Sequence, residues 1–505
     1  MNTAVILDHF RTHGAPLTLS RAGVVAWDDA EFHRTAYAAD PEHYLLLALV
    51  PGVTEHQRAR ALLQTLLNSR ADLPEPTRVV LDKATRALLF GLPPAQVITV
   101  LLAARRLRAN HKHVTRAILT FVLDHPDAEL LIAARRPALV DCFEHALGKN
   151  TARGCLRQLE TGNTDSPELH RKLQRFTTNP AQAIERVRQL YAPGTHGVPV
   201  LTDPVTPLNP TREREPIVTV TNRGDIAATL VHLYRGGSAA ELGSALAAYT
   251  GAVTDTLPRL DSHIAVVLDT SESMRGYGDR EWALLSQAEA LRLILTRVCA
   301  QLTVIEVGGG QSAPTDLAHG VLDALVARTT VARTGATVTG MGGHGAASFT
   351  YASATRAGTG GIDAASFADA GATASDVTQV GGVTAEGREG SEPVAASGDL
   401  GAPDLVVVVT DGYENRLPGD LARVAATLPA IGISTPIVVC QAMFTGSDDR
   451  TLRDPAPALP SIGFWHQDDF AALLPWLFAR TPAGAEWIRA TARRFLDTTP
   501  EGVAR

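Results

Sequence analysis

"AVVLDTSESMRGYG" (residues 265–278) opens as an unbroken apolar run and ends on polar side chains at alternate positions, Asp269, Ser271 and Ser273. An apolar run without alternation reads as a strand covered on both faces, the habit of a parallel sheet. In an open α/β sheet ligands collect beyond the carboxyl ends of the strands, so the polar trio falls where a site is expected. Taken alone the trio has three readings: an enzyme nucleophile, a metal site or a helix cap.

The surrounding chain repeats the pattern. "HIAVVLD" (263–269) is followed by a helix over 281–300 with Leu284, Ala288, Leu291, Leu295 and Val298 on one face, then by strand-like "QLTVIEV" (301–307). Further on come "DLVVVVTD" (404–411), a helix near 418–429, "TPIVVCQ" (435–441) and a helix near 468–479. Apolar strands alternating with helices predict a doubly wound parallel-sheet α/β domain over 261–328 and 403–485, with a C-terminal helix in 486–505. Residues 329–402 interrupt it with fifteen glycines and no leucine before Leu400. So little apolar surface does not offset the entropy of ordering, and the segment is expected to be a disordered insertion.

Upstream, residues 1–192 read as helix after helix: 54–70, 77–92, 94–108, 113–125 and 136–148, with apolar residues at three- and four-residue steps and Pro, Gly or Asp at the breaks. Short helices on short turns predict an all-α array of stacked, HEAT-like pairs. A Pro-rich linker over 193–222 and connecting helices over 223–260 lead into the sheet. The fold class is therefore α plus α/β.

Composition narrows the rest. With 505 residues and 45% apolar content the chain can build more than one core. Its longest apolar runs fall short of the ~18–20 residues of a membrane span, so no membrane association is expected. No basic region followed by an apolar core and a small-residue cleavage site opens the chain, which leaves a cytoplasmic location as the expectation. Four scattered cysteines give neither a disulfide framework nor a zinc motif. The net charge of −7 conceals an asymmetry: residues 101–192 hold fifteen Lys/Arg against nine Asp/Glu, a net of +6, leaving −13 on the remainder. Such a basic block is a candidate polyanion surface.

The second strand end, Thr410-Asp411-Gly412, and Thr315 at the start of a helix complete a set of carboxylates and hydroxyls. Hard oxygen donors of this kind suit octahedral Mg²⁺ or Mn²⁺. The ordered signal, Asp-x-Ser-x-Ser, then Thr, then Thr-Asp-Gly, resembles the von Willebrand factor A domain and its metal-ion-dependent adhesion site. That resemblance implies Asp269, Ser271, Ser273, Thr315 and Asp411 as the metal cluster, with Asp269 and Asp411 acting mostly through water and a partner protein's carboxylate completing the coordination. Two departures stand out: Ala313-Pro314 where Gly-Gly is usual, and a gap of 96 residues between Thr315 and Asp411. Enzyme readings fit less well. An aspartyl phosphotransferase needs a second Asp where Ser271 stands, no Gly-x-Ser-x-Gly elbow is present, and "ALGKNTARG" (146–154) lacks the first Gly and the Ser/Thr of a phosphate loop. A non-enzyme is expected.

A helical array followed by an A domain resembles the Ro autoantigen (TROVE) family. "EHALGKNTARGCL" (144–156) looks like a stretch of that family's helical domain, and "PIVVCQAMFTGSDDR" (436–450) with "GFWHQDDF" (463–470) looks like its last strand, turn and closing helix. The resemblance implies binding of small noncoding or misfolded RNA. Independently, "ARRLRANHKHVTR" (104–116) gathers Arg105, Arg106, Arg108, Lys112 and Arg116, and Lys149, Arg153 and Arg157 recur at four-residue steps. Such rows can track a phosphate backbone without reading its sequence. The other function left open is a metal-dependent protein-interaction module that recruits a protein partner, for example an ATPase, without RNA.

Overall fold

The structure is a computed structural model that describes residues 1–20, 22–192, 203–209, 225–309, 315–326, 337–339, 348–350, 402–414, 417–445 and 454–498. Most of the expected linker and insertion, the Ala313-Pro314 loop and the 446–453 turn lie outside these residues. The chain divides into two compact units, residues 1–326 with 403–505, and residues 327–402. In the second unit the described residues form an antiparallel pair, Thr337–Thr339 with Ser348–Thr350.

The first unit begins with α1 (Thr3–Thr12), a short antiparallel pair β1 (Thr18–Leu19) and β2 (Val25–Ala26), α2 (Ala30–Ala39), α3 (Pro41–Leu47), α4 (Glu55–Leu67), α5 (Glu75–Gly91), α6 (Pro94–Arg106), α7 (Lys112–Asp124), α8 (Ala128–Leu147), α9 (Lys149–Glu160), α10 (Pro167–Lys172) and α11 (Pro180–Tyr191). Local chemistry starts these helices: Asp40 accepts from the His43 N–H, Thr54 from that of Gln57 and Ser166 from that of Leu169. The helix expected over 136–148 is the second half of a longer α8, whose backbone breaks at Arg135 (φ −135°) ahead of Pro137. The break places Pro137 in the first turn of the second segment, where its missing N–H forfeits no helical hydrogen bond. Within the Pro-rich crossing, Asn209 accepts from the Gly52 N–H and from Arg58 while donating to the Val53 carbonyl, and Leu208 is buried.

After α12 (Ile226–Tyr234) and α13 (Ala239–Thr254) come β3 (Leu260–Asp269), α14 (Glu272–Arg275), α15 (Ala283–Val298), β4 (Cys299–Val307) and α16 (Leu317–Val326). With the antiparallel pair Thr337–Thr339 and Ser348–Thr350 counted as β5 and β6, there follow β7 (Leu405–Thr410), α17 (Asp420–Thr427), β8 (Ile437–Ala442), β9 (Ser461–Phe464), α18 (Phe470–Phe478) and α19 (Gly484–Thr498). Five strands form one parallel sheet in the order β4-β3-β7-β8-β9. Ala265, Val267, Val406, Val408 and Val439 pack with Val321 of α16 and Leu421 of α17 on one face. The opposite face carries α15 and α18. Burial on both sides is why these strands read as continuous apolar runs.

Two expectations need correcting. α15 buries more than the one face read from its spacing: Ala283 through Leu295 are all buried, because α12 and α13 lie against its outer side. Its polar residues are partly satisfied inside, with Arg292 Nε donating to Glu289 (2.5 Å) and Gln287 to the Trp465 carbonyl, while Ser286 Oγ and Gln287 Oε1 are buried without a hydrogen bond among the described residues. The strand β9 escaped the sequence reading, since four residues containing Gly463 at a sheet edge leave almost no pattern.

The last two helices join the beginning of the chain. Arg480 and the Trp476 indole both donate to Asp8 (2.8 and 2.9 Å), Arg493 donates to Glu42 (2.5 and 2.9 Å), and Arg489 to Asp40 (3.1 Å). No helix among the described residues is long and apolar enough to cross a membrane. The four cysteines are buried and unbridged.

Candidate functional site

The chain leaves β3 for β4 on one side and later returns to β3's other side as β7, so the strand order reverses between β3 and β7. This is the point at which a doubly wound sheet opens a crevice at its carboxyl edge. Asp269 is the last residue of β3, and Asp411 follows directly on β7. The sheet register, with Leu268 opposite Val409, is what brings Thr410 beside Asp269.

Asp269 is fully buried and held by two groups. Its Oδ1 accepts from the Ser271 N–H (3.0 Å), and its Oδ2 accepts from the Thr410 hydroxyl (2.7 Å). Ser271 and Ser273 are linked through their hydroxyls at 3.0 Å. Asp411 is buried and accepts from the Tyr413 N–H (3.2 Å), while the Gly412 N–H donates to Thr410 Oγ1 (3.1 Å). Burial pushes the Asp269 carboxyl up to about 6, and the Asp411 charge pushes the same way, against the hydrogen bonds from Ser271 and Thr410. Among the described residues no Lys, Arg or His pairs with Asp269. A buried carboxylate with only hydroxyl and amide partners, beside a second carboxylate, is costly without a cation. Every donor is a hard oxygen, so the residues fit a small divalent ion better than a soft metal.

Thr315 is buried at the start of α16, next to Asp316, whose carboxylate caps that helix by accepting from the His319 N–H (2.9 Å). The approach of α16 depends on Gly320: a Cβ there would stand 2.6 Å from Val267 Cγ1 and 2.7 Å from Val307 Cγ1. At the end of β4, Gly308 (φ +79°) lies so close to Ser271 that a Cβ would meet its backbone nitrogen at 3.1 Å. The structure thus brings Asp269, Ser271 and Ser273 together, sets Asp411 within electrostatic reach, and holds Thr315 buried on the helix packed against β3, β4 and β7. Thr410 was not assigned a role from the sequence. The Thr-Asp-Gly after an apolar run was the only signal.

The helical half holds the second candidate surface. Arg106, Arg108, Lys112, Arg116, Lys149, Arg153 and Arg157 are exposed and Arg105 is half-buried. The two basic groups, some forty residues apart in sequence, are neighbours in space: His145 Nε2 donates to the Ala109 carbonyl (2.9 Å) and the Thr115 hydroxyl to the Ala146 carbonyl (3.2 Å), tying the α6–α7 turn to the end of α8. Arg105, Arg116 and Arg153 are partly neutralised by Asp141, Asp82 and Glu144. Arg106, Arg108, Lys112, Lys149 and Arg157 make no ion pair among the described residues. His113, beside His111 in sequence, donates to the Leu66 carbonyl (3.3 Å). Arg116 also borders a cleft of about 550 Å³ with Lys83, Arg86 and Arg175, in which Arg86 lies 4.9 Å over the Phe90 ring and Arg175 4.5 Å over Phe176. Phe90 and Phe176 lie far apart in sequence, and only the fold sets both beside Arg116.

No family model matches this chain, and no curated protein does. Among solved structures it is similar to the crystal structure of the Deinococcus radiodurans Ro (RSR) protein, at 13% identity over 98% of this chain and 100% of that one, with a TM-score of 0.32. At that distance the likeness transfers no activity.

Proposed function

We propose that this chain is a Ro-like RNA-binding protein whose helical half takes the phosphate backbone and whose α/β half binds a divalent cation, Mg²⁺ or Mn²⁺. The observation that carries the RNA reading is the joining of the α6–α7 turn to the α8–α9 junction, which makes one basic surface of two. The neighbouring cleft adds arginine and phenylalanine side by side, a combination on which unpaired bases stack. Binding is expected to be insensitive to sequence and to weaken with salt by roughly 0.7–0.9 in the log–log slope per phosphate contact. Charge reversal of Arg106, Arg108 and Lys112 together should lower affinity alike for unrelated RNAs in a filter-binding assay. Absence of RNA binding at low salt would leave the protein-interaction module as the surviving function.

The cation reading is supported by Asp269, a buried acid whose partners are hydroxyls and an amide. Asp269, Ser271, Ser273, Thr315 and Asp411 would hold the ion, which would supply a positive charge open to an acidic group of a partner. The chain's own residues orient the oxygens: Thr410 fixes Asp269, and the Gly412 and Tyr413 amides fix the loop after β7. Millimolar Mg²⁺ should raise the melting temperature by mass action. Asp269→Ala should remove that shift, and an unchanged shift would refute the assignment.

A further inference from the structure

A separate cluster stands far along the chain from the strand ends, where the C-terminal end of α1 meets α2. His9 on α1 and His13 at its C-cap have their rings stacked at 4.8 Å, and Asp28, Asp29 and His33 come from the start of α2. One oxygen, Asp29 Oδ2, is approached within hydrogen-bond distance by three nitrogens, His9 Nε2 at 2.8 Å, Gln57 Nε2 at 2.8 Å and His33 Nε2 at 3.3 Å, while His13 Nε2 stands off at 3.7 Å and bonds Asp28 instead (3.1 Å). A carboxylate oxygen has about two lone-pair directions, so all three cannot donate to it. Two imidazole nitrogens and a carboxylate oxygen within 4.8 Å of one another, crowded beyond that capacity, are the arrangement of ligands around a cation.

We propose that His9, His33 and Asp29 bind a divalent transition-metal ion of the zinc type. Two imidazole nitrogens and one carboxylate oxygen, with a fourth position left to water, are a ligand set suited to zinc and ill-suited to Mg²⁺. The residues around the set hold it in place. His33, fully buried, has its other ring nitrogen, Nδ1, 2.6 Å from the Tyr44 hydroxyl, the outer contact that fixes a ligand's tautomer and orientation. Arg60 lies against the other oxygen of Asp29 and against Asp28, which turns Oδ2 toward the histidines. Phe32 stacks on His9 at 3.8 Å and Trp27 on His33 at 5.5 Å, giving apolar walls. The His9 and His13 side chains keep 22% and 32% of their exposure, which leaves an entry path. The end of α1 also presents its negative dipole end to a cation.

The test is a zinc titration of the full chain, stripped with a chelator, against a chromophoric zinc indicator. One zinc equivalent per chain is expected, unchanged in Asp269→Ala, which separates this site from the strand-end one. His9→Ala should abolish binding. His9→Gln, at a partly exposed position, serves as the variant whose fold is checked by circular dichroism, and should weaken binding by at least about tenfold. Tyr44→Phe acts only through His33 and should weaken zinc by about tenfold or more, with the Co²⁺-loaded protein's visible spectrum changed in intensity. No zinc uptake by the parent chain, or uptake by the folded His9→Gln variant equal to the parent's, would overturn the proposal and leave a hydrogen-bonded ion network.

Discussion

Thr410 shows how a single hydroxyl can decide a site. Its proton is given to a carboxylate with no exposure to water, so Thr410→Val should leave Asp269 Oδ2 short of a partner at a cost of about 1–3 kcal/mol. Urea unfolding measures that loss, and Thr410→Ser should restore most of it. Asp269, Ser271 and Ser273 were legible because a strand end carries its polar residues in sequence order. The role of Thr410 was not, because it depends on the pairing of β3 with β7 across 141 residues. At His125 the same scale gives a pH dependence. Burial pushes its imidazole down to about 4, and the neutral ring's Nδ1 accepts from the Asp127 N–H (3.1 Å). The unfolded chain takes up the proton first, near its ordinary value of about 6.5, so stability is complete above that pH and is lost as the pH falls toward about 4. Between pH 7 and pH 5 the loss should reach up to about 2 kcal/mol, read from urea midpoints, and His125→Gln should flatten it.

Among the elements, α16 is the one whose placement matters most to the strand-end site. It rests on the sheet through Gly320, so Gly320→Val forces it outward against Val267 and Val307. Overpacking of this kind costs about 1–3 kcal/mol, and because Thr315 stands at the head of the same helix, the Mg²⁺-induced rise in melting temperature should shrink as well. Differential scanning fluorimetry with and without Mg²⁺ reads both effects, and a destabilised variant with an undiminished Mg²⁺ shift would separate α16 from the site. A helix with one dry face, such as α5 with Leu81, Ala84, Thr85, Leu88 and Leu89 inward, was legible from its spacing. α15 was readable as a helix but not in its full burial, since what covers its second face, α12 and α13, is distant in pattern though near in sequence. Of the polar residues that should mark a wet face there, Glu289 and Arg292 instead pair with each other and Gln287 donates to the Trp465 carbonyl, all of them buried.

At the scale of the whole molecule, the fold class could be read from the order of helical and strand-like segments, but not the docking of α18 and α19 onto α1 and α3. That contact rests on single charged residues, Asp8, Asp40 and Glu42, whose partners lie more than 440 residues away. Trp487 anchors the same region: its indole donates to the Pro258 carbonyl (2.7 Å) and its ring meets Phe478 edge-on at 4.7 Å. Trp487→Ala should cost about 3–5 kcal/mol, measured by thermal unfolding of the full chain. The same docking sets an order of events on the ribosome. Made at about 5–20 residues per second, α1 and α3 wait roughly 20–90 s for the helices that pair with Asp8 and Glu42. Through that interval the amino-terminal helices carry uncovered surface, so the nascent chain is exposed to aggregation and to chaperone capture until α18 and α19 emerge to cover them.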